Sequence, residues 1–503
     1  MSILNQAFAK ALDPSAPPLL SQIMAAARQG HLCLRSSLSL SVTSKAIVHD
    51  AGRYYLQRNW VLETAIVEEM GRLLSATPED LFDPERFILP ETLSLEQAEA
   101  AKSVLTRSLT LLSGGPGTGK SFLAIETLAA LARAHRSGSF RVKIAAPTGK
   151  AADRLAAALP PLANVDIEAL TLHRLLGLQP GRTRLFEHHP LDADLIIADE
   201  ASMIDASLFA HLLQAVPDGC RLFLLGDADQ LPPVDGAGVF SDLADLFAIR
   251  LRKNHRLQNE RLYSCFDAAR TGSLAPLLEI LEPPPTDLFG WIETEFQLTA
   301  QFETTRLISP LRKGPFGVDA INAHLLERLQ SRLAYGESWS APLLVLSNDP
   351  VQKLYNGTPG TLQGIYQGGS IPYGSEEVLF ADGRRFLLRQ LPGYELAFAI
   401  SAHKSQGSEF DKIVCLLPPG SEEFGREALY TALTRAKKEI RLVGEKEILE
   451  KVASKHSQSE NGLKERLNFF KGSALNNPPE GQAPLDSLVT GLKTSSSEAN
   501  PKL

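Results

Sequence analysis

Eight consecutive residues constrain this chain more than any others: Gly114-Gly115-Pro116-Gly117-Thr118-Gly119-Lys120-Ser121. They match the phosphate-loop pattern G-x-x-x-x-G-K-[ST] at every fixed position. The apolar run 109–112 predicts a buried strand before the loop, and the Ala- and Leu-rich run 122–135 predicts a helix after it. In such a unit, inward-pointing backbone N–H groups and the helix N-terminus bind phosphates. The sequence therefore predicts an α/β fold that binds a nucleotide.

Two side chains of this loop have predicted roles. Lys120 reaches the β- and γ-phosphates, and the Ser121 hydroxyl binds Mg²⁺. A chance glycine-rich turn is the alternative, and the correct flanking elements disfavour it. Gln97 has two interpretations: with Ser94 it forms a capping box, and its amide also suits the donor and acceptor edge of adenine. The other motifs favour adenine.

Two further strands end in polar residues. Asp199 and Glu200 follow an apolar run that starts at Asp194. In ATPases of this class the first carboxylate binds Mg²⁺ and the second orients and deprotonates the attacking water. Gln230 follows the apolar run 221–225 and is expected to sense the γ-phosphate, with a local backbone hydrogen bond as the alternative. The strand–loop–helix rhythm predicts a parallel sheet that is flanked by helices and binds ligands at its carboxyl edge.

Two other loops suit a nucleic-acid backbone. One contains Pro147, Thr148 and Lys150, and the other contains Thr171 and His173. Hydroxyls, basic side chains and helix N-terminal amides all bind phosphates. An ordinary surface loop is the alternative for each, and His173 by itself favours a structural role. Because the net charge is −7, any nucleic acid must be held by a local groove rather than by an overall basic surface.

Composition places the chain in a broad class. Its 503 residues suggest three or four domains, and no apolar run is long enough for a membrane helix. The first residues lack the pattern of a secretory signal. The four cysteines are far apart and form no C-x-x-C pair, which predicts a reduced, cytoplasmic setting.

The motifs GGPGTGKS, APTGKAADRL, TLHRLLG, DEASM and GDADQLPPV occur in this order and together resemble superfamily 1 helicases, in particular the RecD branch. The resemblance covers about residues 92–445. It implies that Arg256 and Arg435 point at the γ-phosphate from two different domains, with a surface ion pair as the alternative for each. In run 398–410 it implies that His403 and Ser405 contact DNA. The same run implies nucleotide-facing roles for Gln406, Gly407 and Glu409.

The resemblance also implies a domain order. Two RecA-like motor domains, each a parallel sheet flanked by helices, span 92–300 and 301–340 with 396–448. Alternating apolar residues and turn signals at 341–395 predict an inserted β-barrel, which resembles an SH3-like insertion. In this insertion Thr358 stands where the family usually has an acidic residue. Residues 1–91 are expected to form a helical domain that docks on a partner. The polar region 449–503 is expected to be a disordered tail.

The implied activity is that of an ATP-dependent 5′→3′ DNA helicase. Residues 30–34 and 58–60, with Glu63, resemble the N-terminal domain of the RecD subunit of exonuclease V. This implies the alpha subunit of a RecBCD-type enzyme that acts on double-strand DNA ends with RecB-like and RecC-like partners. No nuclease cluster is recognisable in the sequence. A stand-alone helicase and a non-motor ATP-binding subunit are the alternatives, and the arginine pair with Glu200 disfavours the second.

Overall fold

The computed structural model describes residues 18–36, 46–178, 190–233, 236–254, 260–296, 305–349, 351–456 and 459–470. The predicted arginine finger Arg256 lies outside the described residues. The described part of the chain forms two parallel sheets, a five-stranded antiparallel sheet and a three-stranded antiparallel sheet. None of its helices is both long and apolar enough to cross a membrane.

The N-terminal region combines two helices with a small sheet. Its elements are α1 (Pro18–Arg28), β1 (Cys33–Arg35), β2 (Ile47–Asp50), β3 (Arg53–Leu56) and α2 (Gln57–Ser75). The strands pair antiparallel in the order β1-β3-β2. The prediction of a helical domain missed this sheet, because strands of three or four residues contain too few alternations to produce a recognisable pattern.

Helix α2 joins this region to the next. Its buried Ile66, Met70 and Leu73 belong to the same apolar core as Phe209 and Leu213 of the following domain. The predicted boundary at residue 91 therefore does not separate two independent cores. A deletion of residues 1–90 would expose the apolar surface that contains Phe209.

The first parallel sheet has six strands. They are β4 (Leu109–Gly114), β5 (Phe140–Ala146), β6 (Val165–Thr171), β7 (Leu195–Ala198), β8 (Arg221–Gly226) and β9 (Ala248–Leu251). The helices around it are α3 (Leu95–Thr106), α4 (Lys120–Ala134), α5 (Gly149–Ala157), α6 (Leu172–Leu175), α7 (Ala206–Ala215) and α8 (Phe240–Phe247). All pairs are parallel, in the order β6-β5-β7-β8-β4-β9. The carboxyl ends that carry the predicted motifs therefore share one edge.

The second half of the chain interleaves two sheets. Its elements are α9 (Glu260–Thr271), α10 (Ala275–Leu278), β10 (Leu281–Glu282), α11 (Leu288–Phe296), β11 (Thr305–Ser309), α12 (Val318–Arg332), β12 (Ser338–Val345), β13 (Pro359–Ile365), β14 (Glu377–Phe380), β15 (Arg385–Leu387), β16 (Tyr394–Leu396), β17 (Ala399–Ser401), β18 (Phe410–Leu417), α13 (Arg426–Leu433), β19 (Ala436–Gly444), α14 (Lys446–Ser454) and α15 (Leu463–Leu467). The parallel sheet has the order β10-β19-β18-β11-β17, and the antiparallel sheet has the order β15-β14-β13-β12-β16.

The predicted boundary of the first motor domain at residue 300 is wrong. Strand β10 pairs with β19 of the second parallel sheet. On α9, Leu262 and Phe266 are buried in the same core as Leu429 and Leu433 of α13. The chain therefore enters the second sheet's core by residue 260. The Pro-rich break at 283–285, which suggested the boundary, lies inside that region.

The antiparallel sheet lies within the expected insertion. It starts after α12 and ends before β17, so it interrupts the second parallel sheet. Its inward side chains, which include Trp339, Leu362 and Val378, are buried. The SH3-like form of this insertion stays a prediction.

The prediction of a disordered tail from residue 449 is wrong for 449–456 and 459–470. Helix α14 covers 446–454, and α15 places Leu463 and Leu467 against the core that contains Ile66 and Met70 of α2. Leu463, Leu467 and Phe470 have helical spacing. Because polar residues surround these three, composition alone hid them. Residues 471–503 lie outside the described residues.

Candidate active site

The phosphate loop joins the end of β4 to the start of α4. Gly117 and Gly119 have φ values of +79° and +87°, in the left-handed region where a side chain is strained. The ammonium group of Lys120 donates to the carbonyl oxygens of Gly114 and Gly115. The Thr118 hydroxyl donates to the Gly115 carbonyl at 2.7 Å. The loop is therefore curled around the lysine, with the helix N-terminus behind it.

Gln97 forms the capping box that its sequence position allows. Its backbone N–H donates to the Ser94 hydroxyl at 3.2 Å, and its Oε1 atom accepts from the Ser94 N–H at 3.0 Å. Its Nε2 atom also donates to the Thr118 carbonyl at 3.2 Å, which ties helix α3 to the loop. Both ends of the amide are thus engaged within the protein. The adenine contact stays a prediction and requires a change of partners.

A substitution in this loop tests its geometry. A Cβ atom on Gly119 would lie 2.8 Å from Nε2 of Gln97, in addition to the strain at φ +87°. We expect Gly119→Ala to weaken ATP binding by about tenfold, because strain of 1–2 kcal/mol acts on the loop itself. Gly138→Ala is the matched control, since Gly138 has φ +89° with no atom within 4 Å of its Cβ position. Equal nucleotide affinities in the two variants, measured by titration calorimetry, would contradict this expectation.

A cavity of about 540 Å³ lies between the two parallel sheets and collects most of the predicted nucleotide and catalytic residues. The first sheet's half contributes Gln97, Gly115, Pro116, Gly117, Gly119, Lys120, Ser121, Asp199, Glu200 and Gln230. The second half contributes Gly407, Glu409 and Arg435. Gly114 and Thr118 line a neighbouring cavity instead. Residues far apart in sequence therefore meet at one place.

Asp199 and Glu200 occupy one wall of this cavity. Asp199 is buried, and its Oδ1 atom accepts from the Glu200 N–H at 2.8 Å. Among the described residues its Oδ2 atom has no hydrogen-bond partner. Burial, and then the charge of Glu200, raise the pKa of Asp199 to about 6. A buried carboxylate oxygen without a partner, at a cavity that also contains the Ser121 hydroxyl, fits the hard oxygen ligands that Mg²⁺ prefers.

Glu200 has an unusual backbone. Its φ is +53°, in the left-handed region that non-glycine residues rarely adopt, and such strain costs about 1–2 kcal/mol. Its carboxylate oxygen lies 3.9 Å from Nη2 of Arg154 on α5. Strain of this kind clusters at functional sites, where the surrounding structure enforces it. The turn directs the Glu200 side chain into the cavity.

Gln230 lies on the same wall. Its Nε2 atom donates to Oδ2 of Asp227 at 3.0 Å, and both side chains are buried. Its Oε1 atom has no partner among the described residues. The alternative of a backbone hydrogen bond for this amide is therefore not what the structure has.

Arg435 approaches from the second sheet and is buried. Its Nε atom donates to the Thr431 carbonyl at 2.9 Å, and Nη2 donates to the Thr434 hydroxyl at 3.2 Å. Burial lowers the pKa of this guanidinium, and the charge of Glu200 acts in the opposite direction. No described carboxylate forms an ion pair with it, and its burial rules out the surface ion pair that was its alternative.

Three hydrogen bonds cross between the two halves near this cavity. Nε2 of Gln406 donates to the Leu231 carbonyl at 3.2 Å, and the Leu231 N–H donates to the Thr431 hydroxyl at 2.9 Å. The Tyr430 hydroxyl donates to Asp227 at 3.1 Å. Gln406 thus bridges the halves rather than lining the cavity, and Glu409 lies 3.7 Å from Lys437.

The residues predicted to contact DNA are placed unequally. The hydroxyls of Thr148 and Thr171 cap helices α5 and α6 by accepting from backbone N–H groups. His173 is exposed, and Pro147 is half-buried. These four lie at the carboxyl edge of the first sheet.

Lys150, His403 and Ser405 lie where the two halves meet. Nζ of Lys150 donates to the Ser408 hydroxyl at 3.4 Å, and burial lowers the pKa of Lys150 and of His403. Ser405 is fully buried, and its hydroxyl donates to the Ala402 carbonyl at 2.6 Å. A direct DNA contact from Ser405 is therefore wrong for this conformation.

A second cavity, of about 660 Å³, lies between Lys150 and the antiparallel insertion. Its basic lining also includes Arg306, whose guanidinium stacks 4.8 Å above the Phe410 ring, and Lys404. The sequence interpretation missed both of these residues, and it missed Arg154. Arg154 had a usable signal, because it lies one helical turn after Lys150 on the same face of α5.

Two family models divide the chain as the two sheets do. The model described as an AAA domain matches residues 97–236, and the model described as a UvrD-like helicase C-terminal domain matches residues 396–443. With the phosphate loop on one side of the cavity and Arg435 on the other, these matches define a two-domain superfamily 1 helicase.

Curated relatives narrow this class. A protein named RecBCD enzyme subunit RecD from Mycolicibacterium smegmatis is 34% identical over 464 residues, which cover 82% of each chain. Its namesake from Mycobacterium tuberculosis is 34% identical over 483 residues, 84% of this chain and 81% of that one. The ATP-dependent RecD2 DNA helicase of Deinococcus radiodurans is 30% identical over 84% of this chain and 60% of its own. The chain belongs to the RecD family.

Solved structures are more distant. Pif1 helicase from Bacteroides in complex with ADP-AlF3 and single-stranded DNA matches with a TM-score of 0.47 and 19% identity, over 77% of this chain and 99% of that one. Pif1 helicase from Candida albicans matches with a TM-score of 0.46 and 20% identity, over 76% of this chain and all of that one. Likeness at this level adds nothing to the family assignment.

Proposed function

We propose that this chain is an ATP-dependent 5′→3′ DNA helicase and the motor subunit of a RecBCD-type helicase–nuclease that processes double-strand DNA ends. One observation carries the proposal. The cavity joins Lys120 and Glu200 of the first parallel sheet to the buried Arg435 of the second. A site shared between two bodies makes hydrolysis depend on their closure, which is how a motor couples chemistry to motion.

Each side chain of the cavity has a role in hydrolysis. Lys120 and the loop N–H groups bind the phosphates, and Ser121 with Asp199 would hold Mg²⁺, which supplies neutralisation of phosphate charge when bound. Glu200 orients the attacking water and accepts its proton. Arg435 stabilises the charge that develops on the transferred phosphoryl group. Arg256 completes this set in the proposal by family resemblance.

The proposed DNA path follows the carboxyl edges of both sheets. Thr148, Lys150 and Thr171 contribute from the first sheet and His403 from the second. The cavity beside Lys150 adds Arg306 and Lys404, so basic groups are concentrated here in a chain of net charge −7. Such local grooves bind single strands with little sequence preference. The 5′→3′ polarity rests on family resemblance.

The proposed domains follow the observed cores. The first motor domain spans about 92–254, and the second spans about 260–337 and 397–456, interrupted by the insertion. The N-terminal region would dock on a RecC-like chain, and a RecB-like chain would carry the nuclease in a cytoplasmic complex. Two relatives named as RecBCD subunits support the subunit role, because this chain covers more than four-fifths of each. The RecD2 relative keeps the stand-alone helicase in view.

The proposal is tested with the chain alone and with RecB- and RecC-like chains expressed together. We expect single-stranded DNA to stimulate ATP hydrolysis, and we expect unwinding of duplexes with a 5′ tail but not of those with a 3′ tail. Arg435→Lys should lower hydrolysis by about a hundredfold, because a lysine cannot reproduce the guanidinium contacts. Absence of DNA stimulation, or unwinding from 3′ tails alone, would refute the motor role. Failure of the three chains to co-purify would leave a stand-alone helicase.

A further inference from the structure

Tyr430 connects the two halves at a point that the proposed mechanism does not use. It lies on α13 of the second half, is 4% exposed, and its hydroxyl donates to Oδ2 of Asp227 in the first half at 3.1 Å. The same hydroxyl lies against the phosphate loop, since a Cβ atom on Gly115 would be 2.7 Å from it. One side chain of the second half therefore touches both the loop and the carboxylate next to Gln230.

Asp227 is the link between Tyr430 and Gln230. Its Oδ1 atom accepts from the Asp229 N–H at 3.2 Å, and its Oδ2 atom accepts from both the Tyr430 hydroxyl and Nε2 of Gln230. Asp227 is 1% exposed, so no water replaces a lost donor without rearrangement. Burial and the charge of Asp227 raise the pKa of Tyr430 well above its ordinary value, which keeps the hydroxyl a donor.

The carboxylate determines which end of the Gln230 amide is engaged. A carboxylate only accepts hydrogen bonds, so the amide nitrogen must face Asp227 and the carbonyl oxygen is the end left over. That Oε1 atom has no partner among the described residues, and Gln230 lines the nucleotide cavity. A carbonyl oxygen accepts from a water molecule but cannot donate to a phosphate oxygen. In this arrangement Gln230 suits the attacking water better than the γ-phosphate that the sequence predicted.

We propose that Tyr430 is a positioning residue that transmits closure of the second motor domain to Gln230 through Asp227, so that the amide carbonyl orients the attacking water only in the closed cleft. The inference rests on the proposed ATPase function. Tyr430 and Arg435 belong to one segment, in which Arg435 donates to the Thr431 carbonyl. The segment therefore brings the arginine and the tyrosine to the first domain together. An open cleft withdraws both.

The test compares Tyr430→Phe, Gln230→Ala and the double variant in steady-state ATP hydrolysis with single-stranded DNA. Loss of one hydrogen bond to a charged group predicts a kcat about tenfold lower for Tyr430→Phe, with KM for ATP within about twofold of wild type. In the Gln230→Ala background the same change should have no further effect, because its target is gone. Asp227→Asn should reproduce the lower kcat, which tests the link even if Tyr430→Phe folds poorly. Tyr366→Phe, in the inserted sheet, is the matched control and should match wild type.

Three results would overturn the inference. One is an unchanged kcat in Tyr430→Phe. Another is multiplication of the single effects in the double variant, which indicates a packing role that is independent of Gln230. The third is a raised KM at constant kcat, which indicates a nucleotide-binding role. A wild-type protein without DNA-stimulated hydrolysis would refute the proposed function and this inference together. Normal wild-type hydrolysis with an unaffected Tyr430→Phe refutes this inference alone.

Discussion

Replacement of Lys120 by glutamine is expected to abolish ATP hydrolysis and leave the fold intact. The ammonium group of Lys120 lies inside the curled loop, bonded to the carbonyl oxygens of Gly114 and Gly115. Glutamine has a similar length and can donate to the same carbonyls, so the loop keeps a partner. It carries no charge, however, and cannot neutralise the β- and γ-phosphates in the transition state. We expect a loss in kcat of roughly a hundredfold to a thousandfold.

The measurement is phosphate release with single-stranded DNA at saturating ATP, together with thermal unfolding. Lys102→Gln is the matched control, because Lys102 lies on α3 and its side chain is exposed to solvent. It should keep wild-type turnover and stability. Turnover in Lys120→Gln within tenfold of wild type would contradict the motor assignment. A large drop in its melting temperature would show instead that the lysine holds the loop together.

Truncation after residue 456 is expected to destabilise the whole N-terminal half of the protein. Glu63 on α2 is fully buried, and most of its partners come from the removed segment. Its Oε1 atom accepts from Nη1 of Arg466 at 3.2 Å and from the Tyr55 hydroxyl at 3.1 Å, and its Oε2 atom accepts from the Gly462 N–H at 2.9 Å. Without residues 459–470, only the tyrosine remains. A buried carboxylate that loses its ion-pair partner costs about 3–5 kcal/mol.

The same truncation removes apolar contacts. Leu463 and Leu467 are fully buried, and their loss exposes part of the core around Ile66 and Met70. Burial of one such side chain contributes about 1.5–3 kcal/mol. The two effects together predict a melting temperature lower by roughly 10 °C or more. Calorimetry on the truncated chain measures this difference.

Two matched variants separate the causes of that loss. Truncation after residue 470 removes the polar end of the chain and keeps the segment, so its melting temperature should equal that of the full chain. Arg466→Met removes the ion pair but keeps an unbranched side chain against the Trp60 ring, over which the guanidinium lies at 4.4 Å. We expect it to account for about half of the loss. Equal stability of the two truncated chains would show that residues 459–470 do not hold the N-terminal region in place.

Local motifs were predictable because local geometry produces their chemistry. The run from Gly114 to Ser121 forms its cradle with adjacent backbone groups, and the structure places it between a strand and a helix as predicted. Asp199 and Glu200 also lie at a strand end, for the same reason. Contacts between such motifs follow less directly. The sequence indicated Gln230 as a separate sensor, but its environment depends on Tyr430, 200 positions further along the chain.

Errors in the sequence interpretation arose where composition replaced packing. The proline run at 283–285 suggested a boundary, yet β10 beside it pairs with β19. The polar region after 449 suggested disorder, yet three apolar side chains suffice to anchor residues 459–470 on α2. The buried Ser405 suggested a DNA contact because its motif does so in the family, and its burial became visible only from the surrounding strands. In each case the deciding contacts join residues that are distant in the sequence.

The phosphate loop shows where sequence information ends. The sequence by itself determined that the loop binds phosphates, because glycine spacing and a following helix set backbone directions over a few residues. It also determined the family, through the order of its motifs. Only the tertiary structure decided that Arg435 and Tyr430 meet the loop across a cleft and that Glu63 is neutralised by Arg466. The physical reason is that these contacts depend on how separate sheets and helices pack, and packing is a property of the whole chain rather than of any segment.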